Sequence, residues 1–213
     1  MQLSLKAYIW EFRRRAMVHL VLWWFGIEKG ETQTSEAERD CLARHASGKK
    51  NLAEIGVYHG VTTCRLRKAM DPSGILVAVD PYPKQRLGFS AQRIIAQRDV
   101  SRIRTGTVIW MRTIGSIAAD RLYSDERRNF DFVFIDGDHS YEGLKADWEG
   151  WRRLVAPGGT IALHDSRSAP ARPIDDWGSV LYTRDVIERD PDFEIVETVD
   201  SLTVLRRRYD LAR

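Results

Sequence analysis

The chain has 213 residues, of which 43% are hydrophobic and 30% charged, and a net charge of +3. That leaves room for one domain with a sizeable core and is ordinary for a soluble protein, with too little charge to mark a nucleic-acid binder. The two cysteines, Cys41 and Cys64, have neither zinc nor disulfide spacing, which fits a reducing cytoplasm.

Residues 1–34 read as an aromatic-rich helical extension. Arg13-Arg14-Arg15 precedes an apolar run from Ala16 to Phe25, well short of the ~20 residues that span a bilayer, and no small-residue cleavage site follows it. Trp23, Trp24 and Phe25 must bury against something, and the apolar groups from Met17 to Phe25 surround the helix. Three uses stay open: packing on its own domain, dimerisation, or a membrane interface. A homodimer whose interface includes Trp23, Trp24 or Phe25 is the expectation, with peripheral membrane contact as the rival.

Ser35-Glu-Ala-Glu38 is a capping box, so a helix runs from there to Gly48. Strands follow at Leu52–Val57, Ile75–Asp80, Thr107–Met111, Phe130–Asp136, Gly159–His164, Phe193–Thr198 and Leu202–Arg206. Helices fall between them at Val61–Met70, Phe89–Arg98, Ser116–Tyr123, Tyr141–Leu154 and Ser179–Arg189. In the first of these Cys64 reads as a small buried residue. The alternation predicts a parallel sheet with helices on both faces. Only Val199-Asp-Ser201 separates the last two strands, too little for a parallel crossover, so they form an antiparallel hairpin. The long connections Pro81–Gly88 and Ser166–Gly178 lie on the carboxyl edge, where open α/β sheets bind ligands.

Between the first strand and the next helix stands Glu54-Ile-Gly-Val-Tyr-His-Gly60. Glycines there suit a tight turn or a ligand approaching the backbone. The spacing G-x-x-x-G is not the dinucleotide fingerprint. Asp80, at the end of the next strand, is placed to accept hydrogen bonds from both ribose hydroxyls of an adenosine.

These residues, together with Ala78-Val-Asp80, Phe134-Ile-Asp-Gly-Asp-His-Ser-Tyr-Glu142 and Ala156-Pro-Gly-Gly-Thr160, resemble the successive motifs of class I S-adenosylmethionine-dependent methyltransferases. The likeness runs from about Glu36 to Arg207, so that residues 35–213 read as the methyltransferase domain. It is similar to a bacterial small-molecule O-methyltransferase branch that includes enzymes methylating sugars of macrolide and aminocoumarin products. The resemblance implies a Rossmann-like, seven-stranded, mostly parallel sheet with a carboxyl-terminal antiparallel hairpin. It places Glu54 and the loop Gly56, Tyr58, His59, Gly60 at the methionine part of the cofactor, Asp80 at the ribose, Ser116 near the adenine, and Asp136 in the same site.

Methyl transfer to a hydroxyl needs alignment and a base. The resemblance assigns a divalent metal, Mg²⁺ or another, to Asp136 and the pair His164-Asp165. The histidine is a departure, since imidazole suits transition metals better than Mg²⁺. For the base, the resemblance points to Asp138, whereas His139 has the more suitable unperturbed pKa, near 6.5. Two rivals share the sheet: a nicotinamide-dependent oxidoreductase, which would want the missing fingerprint, and a non-catalytic cofactor-binding protein, which would not need Asp136, Asp138 and Asp165 together.

Overall fold

The computed structural model describes residues 16–85, 88–125 and 129–209; Arg13, Arg14 and Arg15 lie outside them. Helix α1 covers residues 16–24. Helix α2 (Glu36–Ala46) begins with the expected capping box, Ser35 Oγ accepting from the Glu38 N–H and the Glu38 carboxylate accepting from the Ser35 N–H. Strands β1 (Asn51–Ile55), β2 (Ile75–Val79), β3 (Thr107–Met111) and β4 (Phe130–Ile135) then alternate with α3 (Val61–Ala69), α4 (Ala91–Ser101) and α5 (Gly115–Ser124). After β4 come α6 (Tyr141–Trp151), β5 (Val155–Leu163), α7 (Gly178–Asp185), β6 (Phe193–Val199) and β7 (Leu202–Arg207).

The differences from expectation are local. Asp80, Asp136 and His164 each fall one residue beyond a strand end, where the backbone N–H still bonds the neighbouring strand. Helix α4 starts later than expected because Ser90 caps it, its Oγ accepting from the Arg93 N–H. Helix α6 and helix α7 each give way to a short 3-10 turn, Arg152–Leu154 and Ile187–Arg189. Strand β5 starts at Val155 rather than Gly159, pairing with Phe130 across an irregularity in the ladder. Cys64 is only half-buried.

The sheet order is β3-β2-β1-β4-β5-β7-β6, parallel except where β7 runs antiparallel to both β5 and β6. Successive residues of β1 serve opposite faces. Leu52 packs with Cys41, Leu42 and Leu66 of α2 and α3, whereas Ala53 and Ile55 pack with Ala118, Leu144, Trp148 and Trp151 of α5 and α6. Connections leave β1 toward one edge and β4 toward the other, so a crevice opens where those two neighbours diverge.

Helix α1 docks through Trp23, 7% exposed, whose indole N–H donates to Asp99 of α4 at 2.9 Å. Trp24 lies 4.0 Å from the Arg98 guanidinium but stays largely exposed, and Phe25 is 74% exposed. Trp23 is therefore taken by its own domain, which leaves Trp24 and Phe25 for any second contact. Among the described residues no helix is long and apolar enough to cross a membrane.

Gly56 has φ +85°, and a Cβ built there would overlap the carbonyl oxygen of Asp136. Gly48 has a similar φ of +67° with nothing near its missing Cβ. Gly48→Ala should therefore cost only the left-handed conformation, about 1–2 kcal/mol. Gly56→Ala must also push β1 and β4 apart and should cost at least about 3 kcal/mol in urea denaturation. Equal losses would mean that the close approach is not what Gly56 serves.

Candidate functional site

A cavity of about 690 Å³ occupies the crevice above the carboxyl ends of β1, β2 and β4. Its floor is made by Gly56–Tyr58 and Asp136–His139, one wall by Asp80 and Pro81, the other by residues 113–116 with Asp147 of α6. Glu31, Thr32 and Gln33 cover it from the amino-terminal side, and Trp177 stands at the edge nearest His139.

Asp80 ties the wall to the floor. One carboxylate oxygen accepts from the backbone N–H groups of Val57 and Tyr58, both at 3.0 Å, and the other from the Tyr82 N–H at 2.8 Å. Tyr58, at φ +53°, reaches out to donate its hydroxyl proton to Glu31 at 2.8 Å. Behind the loop, His59 stacks between Tyr58 and His19 of α1 and accepts from the Glu31 N–H at 3.1 Å. Burial, helped by His19, lowers its pKa to about 4, so it is a neutral acceptor. Gly60 (φ +75°) packs on Ala96 and Val100 of α4 and starts α3 with no side-chain cap, so the first N–H groups of that helix have no capping side chain.

The expected cofactor residues thus divide. Gly56, Tyr58, Asp80, Ser116 and Asp136 line the cavity, while Glu54, His59 and Gly60 support it from behind. Both glycines are needed by neighbouring protein, Gly56 by the Asp136 carbonyl and Gly60 by α4. Glu54 is fully buried, neither carboxylate oxygen has a hydrogen-bond partner, and the hydroxyl of the adjacent Thr63 also lacks one. Burial raises Glu54 to about 8, and the charges of Asp136 and Asp80 add to the shift.

At the other end, His139 Nε2 lies 3.6 Å from an oxygen of Asp136 and 3.6 Å from one of Asp165. Its backbone carbonyl accepts from the Ser179 N–H at 2.9 Å, which fixes it to the start of α7, and its ring sits 5.7 Å from that of Trp177. Asp138 also lines the cavity, but its carboxylate accepts from the Ser140 N–H at 2.9 Å in the turn before α6. His164 and Asp165 do not reach the cavity wall; they are buried beneath it. His164 Nδ1 donates to Asp136 at 2.8 Å, and Nε2 faces Glu38 at 3.4 Å. Burial would lower its pKa, but Asp136 and Glu38 outweigh burial and hold it up near about 10. Glu38 is lowered to about 2: burial opposes, and His164, Ser201 and the Ser35 N–H prevail. Asp165 is gripped through both oxygens by Arg172, with Nη2 to Oδ2 at 2.5 Å.

Four participants escape the sequence reading: Arg172, Trp177, Asp147, and Glu38 in any role beyond capping. Asp147 left a faint signal, because a Cβ at Gly115 or Gly137 would run into its carboxyl group. Burial, with Asp138 nearby, raises it to about 6 against a hydrogen bond from the Ser116 backbone.

A family model described as a methyltransferase domain matches residues 53–166. A putative O-methyltransferase of Mycobacterium avium is 32% identical over 130 residues, covering 58% of this chain and 51% of the relative, so the chain spans about half the length of that curated relative. Among solved structures, an O-methyltransferase from Bacillus cereus in complex with SAH superposes with a TM-score of 0.59 at 16% identity, covering 92% of this chain and 90% of that one. The O-methyltransferase TomG from Streptomyces achromogenes, involved in tomaymycin synthesis and solved with SAM, gives 0.58 at 16% identity, covering 92% and 89%. At those identities the structures support the fold alone.

Glu54 yields a pH signature. Its pKa is raised on folding from 4.5 to about 8, so the folded state holds a proton that the unfolded chain releases above pH 4.5. Stability is full below that value and falls as pH rises toward 8, by up to about 5 kcal/mol. Glu54→Gln should flatten this slope in denaturation curves at pH 5, 6.5 and 8. The same slope in both proteins would place the proton elsewhere.

Proposed function

The chain belongs to the methyltransferase-domain family, and from that premise we propose that it is an S-adenosylmethionine-dependent O-methyltransferase acting on a hydroxyl of a small molecule of sugar or natural-product type. The observation that carries the reading is a single cavity with an adenosine-type acid, Asp80, on one wall and the His139 imidazole at the opposite end.

The residues present fit the cofactor. Asp80 keeps one acceptor site free on the oxygen that meets only the Tyr82 N–H and would meet a ribose hydroxyl there. Ser116 and Asp147 would face the adenine, and the uncapped start of α3 suits the methionine carboxylate. When bound, S-adenosylmethionine supplies a methyl group on a positively charged sulfur. The protein does the rest. His139 accepts the proton of the acceptor hydroxyl at Nε2 as that oxygen takes the methyl group from sulfur, which keeps the bonding pair. Asp136 and Asp165 flank this nitrogen and favour the imidazolium that forms. Asp138 is occupied in the turn, which favours His139 as the base. Trp177 and the cover at 31–33 limit water at the reacting atoms.

We also propose that two copies associate through the exposed side of α1 carrying Trp24 and Phe25. Light scattering on the full chain should give a dimer that Trp24→Ser/Phe25→Ser converts to monomer; a monomeric wild type at micromolar concentration would rule this out.

Calorimetry should show binding of S-adenosylmethionine and none of NAD. Asp80→Ala should weaken it by roughly 1.5–3 kcal/mol through lost charge-assisted hydrogen bonds. His139→Ala should keep that affinity and lower kcat by roughly 10²–10⁴. Unchanged turnover in His139→Ala would move the base elsewhere.

A further inference from the structure

The metal site implied by the resemblance does not fit the residues that would form it. Of Asp136, His164 and Asp165, only Asp136 reaches the cavity wall. Asp165 has no exposed surface, and the Arg172 guanidinium occupies both of its oxygens. Each nitrogen of His164 already faces a carboxylate, Asp136 on one side and Glu38 on the other. Glu38 cannot swing aside, because it also accepts from the Ser201 N–H at 2.9 Å, the Ser201 hydroxyl at 2.7 Å and the Ser35 N–H at 2.7 Å. At the acceptor end of the cavity, the ligand atoms that converge among the described residues are those of Asp136, His139 and His164, within 4.8 Å of one another; a second such group, His19, Glu31 and His59, lies at the 31–33 cover. That set, two imidazoles and one carboxylate, is poor in the oxygen ligands that Mg²⁺ requires, and a transition metal would need a free nitrogen on His164, where both are already turned to Asp136 and Glu38.

We propose that Arg172, with His164 behind it, takes the place of a divalent ion at the acceptor end of the site. This rests on the methyltransferase reading for its purpose but not for its geometry. Arg172 is built in. Its backbone N–H and carbonyl pair with those of Ala169 at 2.8 and 3.1 Å, its Nη2 also donates to Gln33 at 3.1 Å, and its guanidinium lies 5.5 Å from the Trp177 ring centre. A guanidinium meeting a carboxylate edge-on in two bonds gives direction as well as charge. It holds Asp165 where one oxygen stands 3.6 Å from His139 Nε2, and one end of the residue also touches the 31–33 cover. Arg172 is thus a positioning residue: it supplies the positive charge that a metal would have brought to the buried acid, and it sets the orientation of the base. The acceptor hydroxyl then loses its proton to His139 and not to a metal-bound oxygen.

The test is a titration of the full chain with Mn²⁺, followed by the electron paramagnetic resonance signal of the free ion. The wild type should leave the signal of 100 μM Mn²⁺ unchanged, and turnover should survive excess chelator. Arg172→Ala, which frees Asp165, should bind Mn²⁺ at least tenfold more tightly than the wild type, whereas Arg172→Lys should not. One Mn²⁺ taken up by the wild type and lost in Asp165→Asn would overturn the proposal, whatever the fate of the Arg172 variants. Uptake that survives Asp165→Asn lies elsewhere in the chain and leaves the proposal standing. The titration needs neither cofactor nor acceptor, so its failure is distinct from a failure of the methyltransferase reading, which calorimetry with S-adenosylmethionine decides.

Discussion

The site depends on how closely β1 and β4 approach at their carboxyl ends. The Gly56 N–H bonds Val79 at 2.9 Å and the Asp136 N–H bonds Ile55 at 2.7 Å, so the ladder continues one residue past each strand. Gly56 then sits directly on the Asp136 carbonyl with no space for a side chain. Because the connections diverge from this point, neither of them crosses it, and a crevice remains beneath the 31–33 cover. Asp80, which clamps the loop after Gly56, and Asp138 and His139, which follow Asp136, are carried to the rim of the crevice by the same register.

Concentrating acids at one edge has an electrostatic cost, and each acid meets it differently. Glu38 and Asp136 share His164, and Asp165 has Arg172. An unpaired buried carboxylate is far less stable than a paired one, so removing any partner here should be felt by the whole group. Glu54 has no cation and takes a proton instead. The same strand edge therefore holds acids paired with cations near the acceptor end and a protonated one beneath the cofactor loop, and the difference is set by neighbours rather than by residue type.

Much of the fold was legible in local signals. The capping box at Ser35 set the start of α2, alternation gave the parallel sheet, and the short gap at Val199-Asp-Ser201 required a hairpin. The motif residues Asp80, Ser116, Asp136 and His139 also converged, because strand-end positions in a parallel sheet share an edge. What stayed hidden depends on contacts distant in sequence. Nothing in Ser-Ala-Pro-Ala-Arg172 announces a partner for Asp165, and Glu38 of the capping box gives no sign that it faces the histidine just after β5. Nor can spacing tell that Gly56 and Gly60 clear room for Asp136 and α4. The run Trp23-Trp24-Phe25 hid its own division, one ring buried and two outside, since a helix turns each residue about 100° from the last.

We propose that the crevice between β1 and β4 holds the adenosyl cofactor. Backbone hydrogen exchange with and without S-adenosylhomocysteine tests it directly. Slower exchange is expected across 56–62 and 113–116, with the β6–β7 hairpin unchanged. Unaltered exchange in the 56–62 loop, with protection elsewhere or nowhere, would contradict the account.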